Sequence, residues 1–174
     1  MSYRRRVRVL VLGGTGFIGP DVLRELVARG HEVAIFHRGQ SEPDGLPEVR
    51  HIHGDRDRLG DHRETLLALR PEVALDLRPL VERDAEISLR ALRGVVPRLV
   101  AISSADVYLA YGRLHGTEPG PPLAMPLKED APLREKLYPY RGELGKRLGG
   151  APWLDGVLDY AARDELLRRL AAVG

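Results

Sequence analysis

Cysteine is missing altogether from these 174 residues. Disulfides, thiolate nucleophiles and cysteine-based zinc sites are thereby excluded. Lysine occurs only at Lys128, Lys136 and Lys146, so arginine carries nearly all the positive charge. Aromatic residues are 5% of the chain, which is sparse for the stacking platforms that single-stranded RNA requires. The net charge of +2 is too small to argue for a nucleic-acid partner. No apolar run approaches the roughly 18 residues of a membrane-spanning helix. Met1-Ser2-Tyr3-Arg4-Arg5-Arg6 leads into a short apolar run that ends in glycines, without the long apolar stretch and small-residue cleavage site of a signal peptide. A cytoplasmic protein without membrane contact is expected. Hydrophobic residues at 43% and charged residues at 30% suit a single soluble domain over 1–174.

Periodicity divides the chain into alternating strands and helices. Val7 to Leu12 is a short apolar run bounded by arginines and by Gly13-Gly14, which reads as a buried strand. Phe17 to Arg29 carries Ile18, Val22, Leu23, Leu26 and Val27 at helical spacing, with Gly30 closing the helix. His31–His37, Val49–His53, Val73–Leu77 and Leu99–Ile102 read as further strands. Arg63–Arg70 and Arg83–Arg93 read as helices, the first stopped by Pro71. Gln40 to Pro47 is a loop. The alternation predicts an α/β fold, a doubly wound parallel sheet of Rossmann type with strand order 3-2-1-4-5. Residues 112–152 are rich in Gly and Pro and are expected to form an irregular insertion. A last amphipathic helix is expected over 158–172.

Gly13, Gly16 and Gly19 lie three apart between the first strand and the first helix. In that context each has a job in dinucleotide binding. Gly13 permits a tight turn, Gly16 lets a pyrophosphate approach the backbone, and Gly19 lets helix and strand pack closely. The helix N-terminus then faces the phosphates. An NAD site usually ends its second strand with an acid that accepts from the ribose 2′-OH. Here Phe36-His37-Arg38-Gly39 has none. Arg38 either pairs with a 2′-phosphate, which favours NADP over NAD, or is simply solvated. Asp55, after the third strand, either accepts from the adenine amino group or caps the next turn.

Gly13-Gly14-Thr15-Gly16-Phe17-Ile18-Gly19 resembles the nucleotide loop of the NAD-dependent epimerase/dehydratase family, the extended short-chain dehydrogenases. Ile102-Ser103-Ser104-Ala105-Asp106-Val107-Tyr108 resembles its serine motif. Phe36–Gly39, Gly54-Asp55-Arg56, Pro126–Asp130 and Tyr138–Gly142 are similar to a branch that includes chloroplast stem-loop-binding proteins. The resemblance implies that Thr15, Phe17 and Ile18 join the three glycines, Arg38 and Asp55 around the cofactor. It implies that Ser104 holds a substrate oxygen. The family's acid/base is a Tyr whose pKa is lowered by a Lys four residues on. No lysine in this chain has a tyrosine four residues before it. Tyr160 is the nearest candidate, but Asp164 stands in the lysine's place and Arg163 one residue earlier. The chain is also about half the length of extended members, so the C-terminal substrate domain is expected to be lacking.

Three functions remain open on the sequence alone. One is an NADP(H)-binding protein of weak or no catalytic activity, on a substrate the sequence does not name. Another is an active oxidoreductase or epimerase that completes its site by dimerisation. The third is an RNA-binding module using Arg4, Arg5, Arg6 and Arg8 on phosphates. A homodimer is expected, through an exposed fifth strand and the apolar stripes of Arg83–Arg93 and Leu158–Leu170. No metal site is expected: His51 and His53 share a strand face, but spacing shows no third ligand or carboxylate, and His62 lies apart.

Overall fold

The computed structural model describes residues 5–16, 18–79, 82–104, 107–124 and 126–135. Phe17, Tyr160 and the expected helix 158–172 lie outside the described residues. The chain divides into two compact units, one of residues 1–79 and 83–102, the other of 80–82 and 103–174.

The first unit is a five-stranded parallel sheet of β1 (Arg8–Leu12), β2 (Glu32–His37), β3 (Arg50–His53), β4 (Val73–Asp76) and β5 (Leu99–Ala101). The strand order is β3-β2-β1-β4-β5, as the alternating pattern predicts. Between the strands run α1 (Gly19–Ala28), α2 (Arg63–Leu69) and α3 (Glu82–Leu92). The central strand β1 explains the sheet's two-sided burial. Successive side chains point to opposite faces. Val9 and Val11 join Leu23 of α1 with Val33 and Ile35. Leu10 and Leu12 join Phe36, Ile52, Leu59, Leu66 and Leu92 on the other face. A Val-Leu-Val-Leu run therefore fills two cores at once, as parallel strands covered on both faces do. Each fully buried Leu or Ile contributes about 1.5–3 kcal/mol relative to exposure.

Two elements depart from the sequence reading. Residues Arg56–His62 form a 3₁₀ segment ahead of α2, with Leu59 fully buried in the core. The short spacing hid it, because one buried leucine in seven residues gives no period. Helix α1 starts at Gly19, later than the apolar spacing from Ile18 suggested, and the Gly19 N–H donates to the Gly16 carbonyl at 2.8 Å.

In the second unit, α4 (Leu109–Leu114) overlaps the start of the expected irregular stretch. The described residues after α4 are irregular but tied down. Thr117 and Glu118 N–H donate to the Gly112 carbonyl at 2.8 and 3.1 Å, Tyr108 pairs with Leu133 in an antiparallel bridge, and the Arg134 N–H donates to the Val107 carbonyl at 2.9 Å. Glu118 and Arg134 are both buried there.

Candidate functional site

Parallel strands end on the same side, and the register aligns Leu12 with Phe36 and with Asp76. Above those ends lies a cavity of about 630 Å³. Its walls are the turn after β1 with Ile18 and Gly19, the end of β2 through Ser41, the Gly54–Asp57 stretch, and Leu77 and Arg78 after β4. Open α/β sheets bind ligands at this place, and the size falls within the roughly 300–1,000 Å³ of small-molecule sites.

The glycine turn is shaped by two residues, where the sequence singled out only one. Gly13 and Gly14 have φ of 93° and 109°, a region that side chains rarely adopt. The Gly13 N–H donates to the Phe36 carbonyl at 2.9 Å, which fastens the turn to β2. A Cβ on Gly19 would lie 2.3 Å from the Gly14 carbonyl oxygen. Gly19 thus lets the helix close on the turn itself, where packing of helix on strand was expected. A Cβ on Gly16 would meet nothing within 4 Å. Gly16 faces open space, the cradle a pyrophosphate requires.

Thr15 and Ile18 line the same wall. Arg38 lines the cavity beside Gly39 and is exposed, with no carboxylate partner among the described residues. Asp55 also lines it, and its Oδ1 accepts from the Asp57 N–H at 2.9 Å, so this carboxylate caps the 3₁₀ segment. The turn-capping role is the one the geometry displays.

Sequence reading gave Arg56 and Asp76 no role. Asp76, 1% exposed, ends β4. Arg56 reaches it with both Nη atoms; Nη1 donates to Oδ2 at 2.9 Å, to Ser88 Oγ at 3.0 Å and to the Asp84 carbonyl at 3.1 Å. Ser88 Oγ and the Arg78 N–H also donate to Asp76, at 2.7 and 3.0 Å. This network joins the cavity wall to β4 and α3. An acid closing an apolar strand, Val-Ala-Leu-Asp, is the signal that could have found it.

Sequence spacing also concealed a histidine cluster. His37 ends β2 directly opposite His53 of β3, and His51 lies two residues before His53. All three rings share one sheet face, where Glu42 joins them. A third and a fourth candidate ligand are therefore present, contrary to the expectation from spacing alone. His62 is elsewhere, edge-on to Phe36 with ring centroids 5.1 Å apart. Burial pushes the His37 imidazole below its ordinary range; His53 and His51 act in the same direction, against Glu42. Glu42 is held below the usual carboxylate range, chiefly by its hydrogen bond with His53.

Ser104 belongs to the second unit, where its carbonyl accepts from the Val107 N–H at 3.2 Å. Of the basic N-terminal residues, Arg5 and Arg8 pair with Glu72, and Arg6 lies 3.7 Å from Glu32. The Arg8 N–H donates to Glu72, the main reason its carboxyl sits below the usual range. No helix among the described residues is long and apolar enough to cross a membrane.

Comparison with known proteins agrees with this geometry. The model of the NAD dependent epimerase/dehydratase family matches residues 9–93. The 2′-dehydrokanamycin reductase of Streptomyces kanamyceticus is 34% identical over 171 residues, 96% of this chain and 43% of the reductase. A chloroplast stem-loop binding protein of 41 kDa from Arabidopsis thaliana is 32% identical over 118 residues, 59% of this chain and 30% of that protein. The chain thus spans less than half the length of these relatives. Among solved structures, the Bordetella bronchiseptica enzyme WbmG in complex with NAD superposes with a TM-score of 0.57 at 19% identity, covering 76% of this chain and 45% of the enzyme. A wide-type short-chain dehydrogenase/reductase from Veillonella parvula in complex with NADP gives 0.55 at 16%, covering 67% and 58%. Both likenesses concern the fold.

Proposed function

We propose that this chain, which through residues 9–93 belongs to the NAD-dependent epimerase/dehydratase family, holds a nicotinamide dinucleotide, in its NADP form, above the parallel sheet. The carrying observation is the glycine turn with an open side at Gly16 on the wall of a cavity of about 630 Å³. The turn and the N-terminus of α1 would take the pyrophosphate, and Asp55 borders the adenosine end. Arg38, exposed on the same wall, is the cation that suits a 2′-phosphate, and no acid in Phe36–Gly39 offers a ribose 2′-OH an acceptor. When bound, the cofactor supplies hydride exchange at its nicotinamide ring.

Calorimetry tests this reading. NADPH should bind more tightly than NADH, by about tenfold or more, and Arg38→Asp should reverse or abolish the preference. Equal affinities in the unaltered protein would refute NADP selection. Gly16→Val should remove both nucleotides.

Catalysis is proposed to be weak. The acid/base pairing Tyr-x-x-x-Lys does not occur in these 174 residues; four residues after Tyr160 stands Asp164 in place of a lysine. Incubation of NADPH with a panel of carbonyl compounds should give little turnover. Robust turnover lost in both Tyr160→Phe and Ser104→Ala would favour an active oxidoreductase. The reading as an RNA-binding module is weakened by Glu72 and Glu32, which already face Arg5, Arg6 and Arg8. Pairing with a second copy is proposed along β5, the last strand in the order among the described residues.

A further inference from the structure

We propose that His37, His51, His53 and Glu42 form a binding site for one divalent transition-metal ion of the zinc class. The proposal does not depend on the dinucleotide reading, although His37 also lines that cavity.

Placement comes first. The pairing of β2 with β3 sets His37 beside His53, and the two-residue strand period sets His51 on the same face. The Gln40–Pro47 loop brings Glu42 over them. One donor atom from each of the four side chains lies within 4.8 Å of every other. Glu42 Oε1 is 3.4 Å from His37 Nε2, 3.4 Å from His51 Nδ1 and 3.0 Å from His53 Nε2. His37 Nε2 is 3.0 Å from His51 Nδ1. A tetrahedral ion with bonds of about 2.0–2.1 Å holds its ligand atoms about 3.3–3.4 Å apart. Four of the six edges are therefore near their coordinated lengths already.

Chemistry selects the ion. Three imidazoles and one carboxylate suit zinc, cobalt or nickel; hard cations such as magnesium and calcium prefer all-oxygen shells. Four protein ligands close the tetrahedron, the pattern of a structural ion and not of one with an open catalytic position. Access differs by ligand: the His37 side chain is 4% exposed, whereas those of His53 and Glu42 are 58% and 42% exposed. The ion would enter from the solvent side and settle on His37.

Binding asks for one rearrangement. The Gly39 N–H donates to His37 Nδ1 at 3.2 Å, which leaves the proton of a neutral ring on Nε2. His53 directs its own Nε2 at Glu42. An ion takes the position of these two protons, each ring carrying its proton on Nδ1 instead. The Gly39 amide must then release His37. Gly39 has φ of 72° and sits against the His53 ring, so its amide reports directly on the change. The consequence is mechanical: Glu42 is bonded to the sheet edge, and the loop beyond Arg38 is fixed at the cavity rim.

The test uses the full chain without a histidine tag. Calorimetric titration with zinc chloride should give one ion per chain. Cobalt chloride should give the intense visible absorption of a tetrahedral site, bleached by zinc. His51→Ala and Glu42→Gln should each weaken zinc by at least about tenfold, while His31→Ala, outside the cluster, should not. Circular dichroism confirms that each variant is folded, and the exposed Glu42 position keeps the test valid should His51→Ala fail to fold. In amide NMR spectra, Gly39 should shift on zinc addition. No saturable binding at micromolar zinc, or equal zinc affinity in Glu42→Gln, His51→Ala and His31→Ala, would overturn the proposal.

Discussion

At the scale of single residues, Asp76 closes β4 inside the fold, 1% exposed. It is a buried carboxylate that accepts from Arg56, Ser88 and the Arg78 backbone. Removing one member of such a pair leaves the other charge without compensation, which costs far more than the intact pair contributes. Asp76→Ala is expected to lower stability by about 3 kcal/mol in urea denaturation. Replacing both partners by apolar residues, Asp76→Leu with Arg56→Met, should recover much of that loss. A single variant as stable as the parent would show that Arg56 finds solvent without penalty. Arg56 was visible in the sequence only as part of a resemblance, since no local pattern joins it to a residue 20 positions away.

At the scale of elements, the join between the glycine turn and α1 separates two kinds of glycine. Gly19 has backbone atoms of Gly14 within 2.5 Å of where a Cβ would stand, and backbone cannot give way cheaply. Gly19→Ala should destabilise the protein by about 2–3 kcal/mol, measured by thermal or chemical unfolding. Gly16 meets nothing there, so Gly16→Val should unfold like the parent and yet lose dinucleotide binding. Equal stability losses in the two variants would contradict this division. The three-residue spacing announced both glycines. Its setting between strand and helix also assigned Gly16 to a ligand and Gly19 to packing; it did not reveal that Gly19 packs against Gly14 of the turn itself, because that depends on what lies opposite.

At the scale of the whole molecule, the expected apolar stripe of α3 turns out to be occupied. Ala91 and Leu92 are buried in the core of their own sheet, with Ile87 packed against it. That stripe was one of the surfaces expected to join two copies. Among the described residues there remains β5, at the end of the strand order, with Val100 41% exposed. An unpaired strand edge invites association. Light scattering at micromolar concentration is expected to give twice the 19.3 kDa of one chain. A mass equal to one chain would refute pairing.

The sequence by itself determined the parallel sheet and its order, because apolar runs of strand length alternate with helical periods and each period is local. It also determined the glycine turn, since glycine spacing between a strand and a helix is read over seven adjacent residues. Only the tertiary structure decided which distant groups meet. Asp76 finds Arg56 across the sheet's end, and Asp55 turns out to cap its own turn. His37 finds His51 and His53 because β2 and β3 pair in one particular register, and Glu42 reaches them from a loop. Periodicity reports which face of an element is apolar; it carries no record of the side chain that another element will set against it.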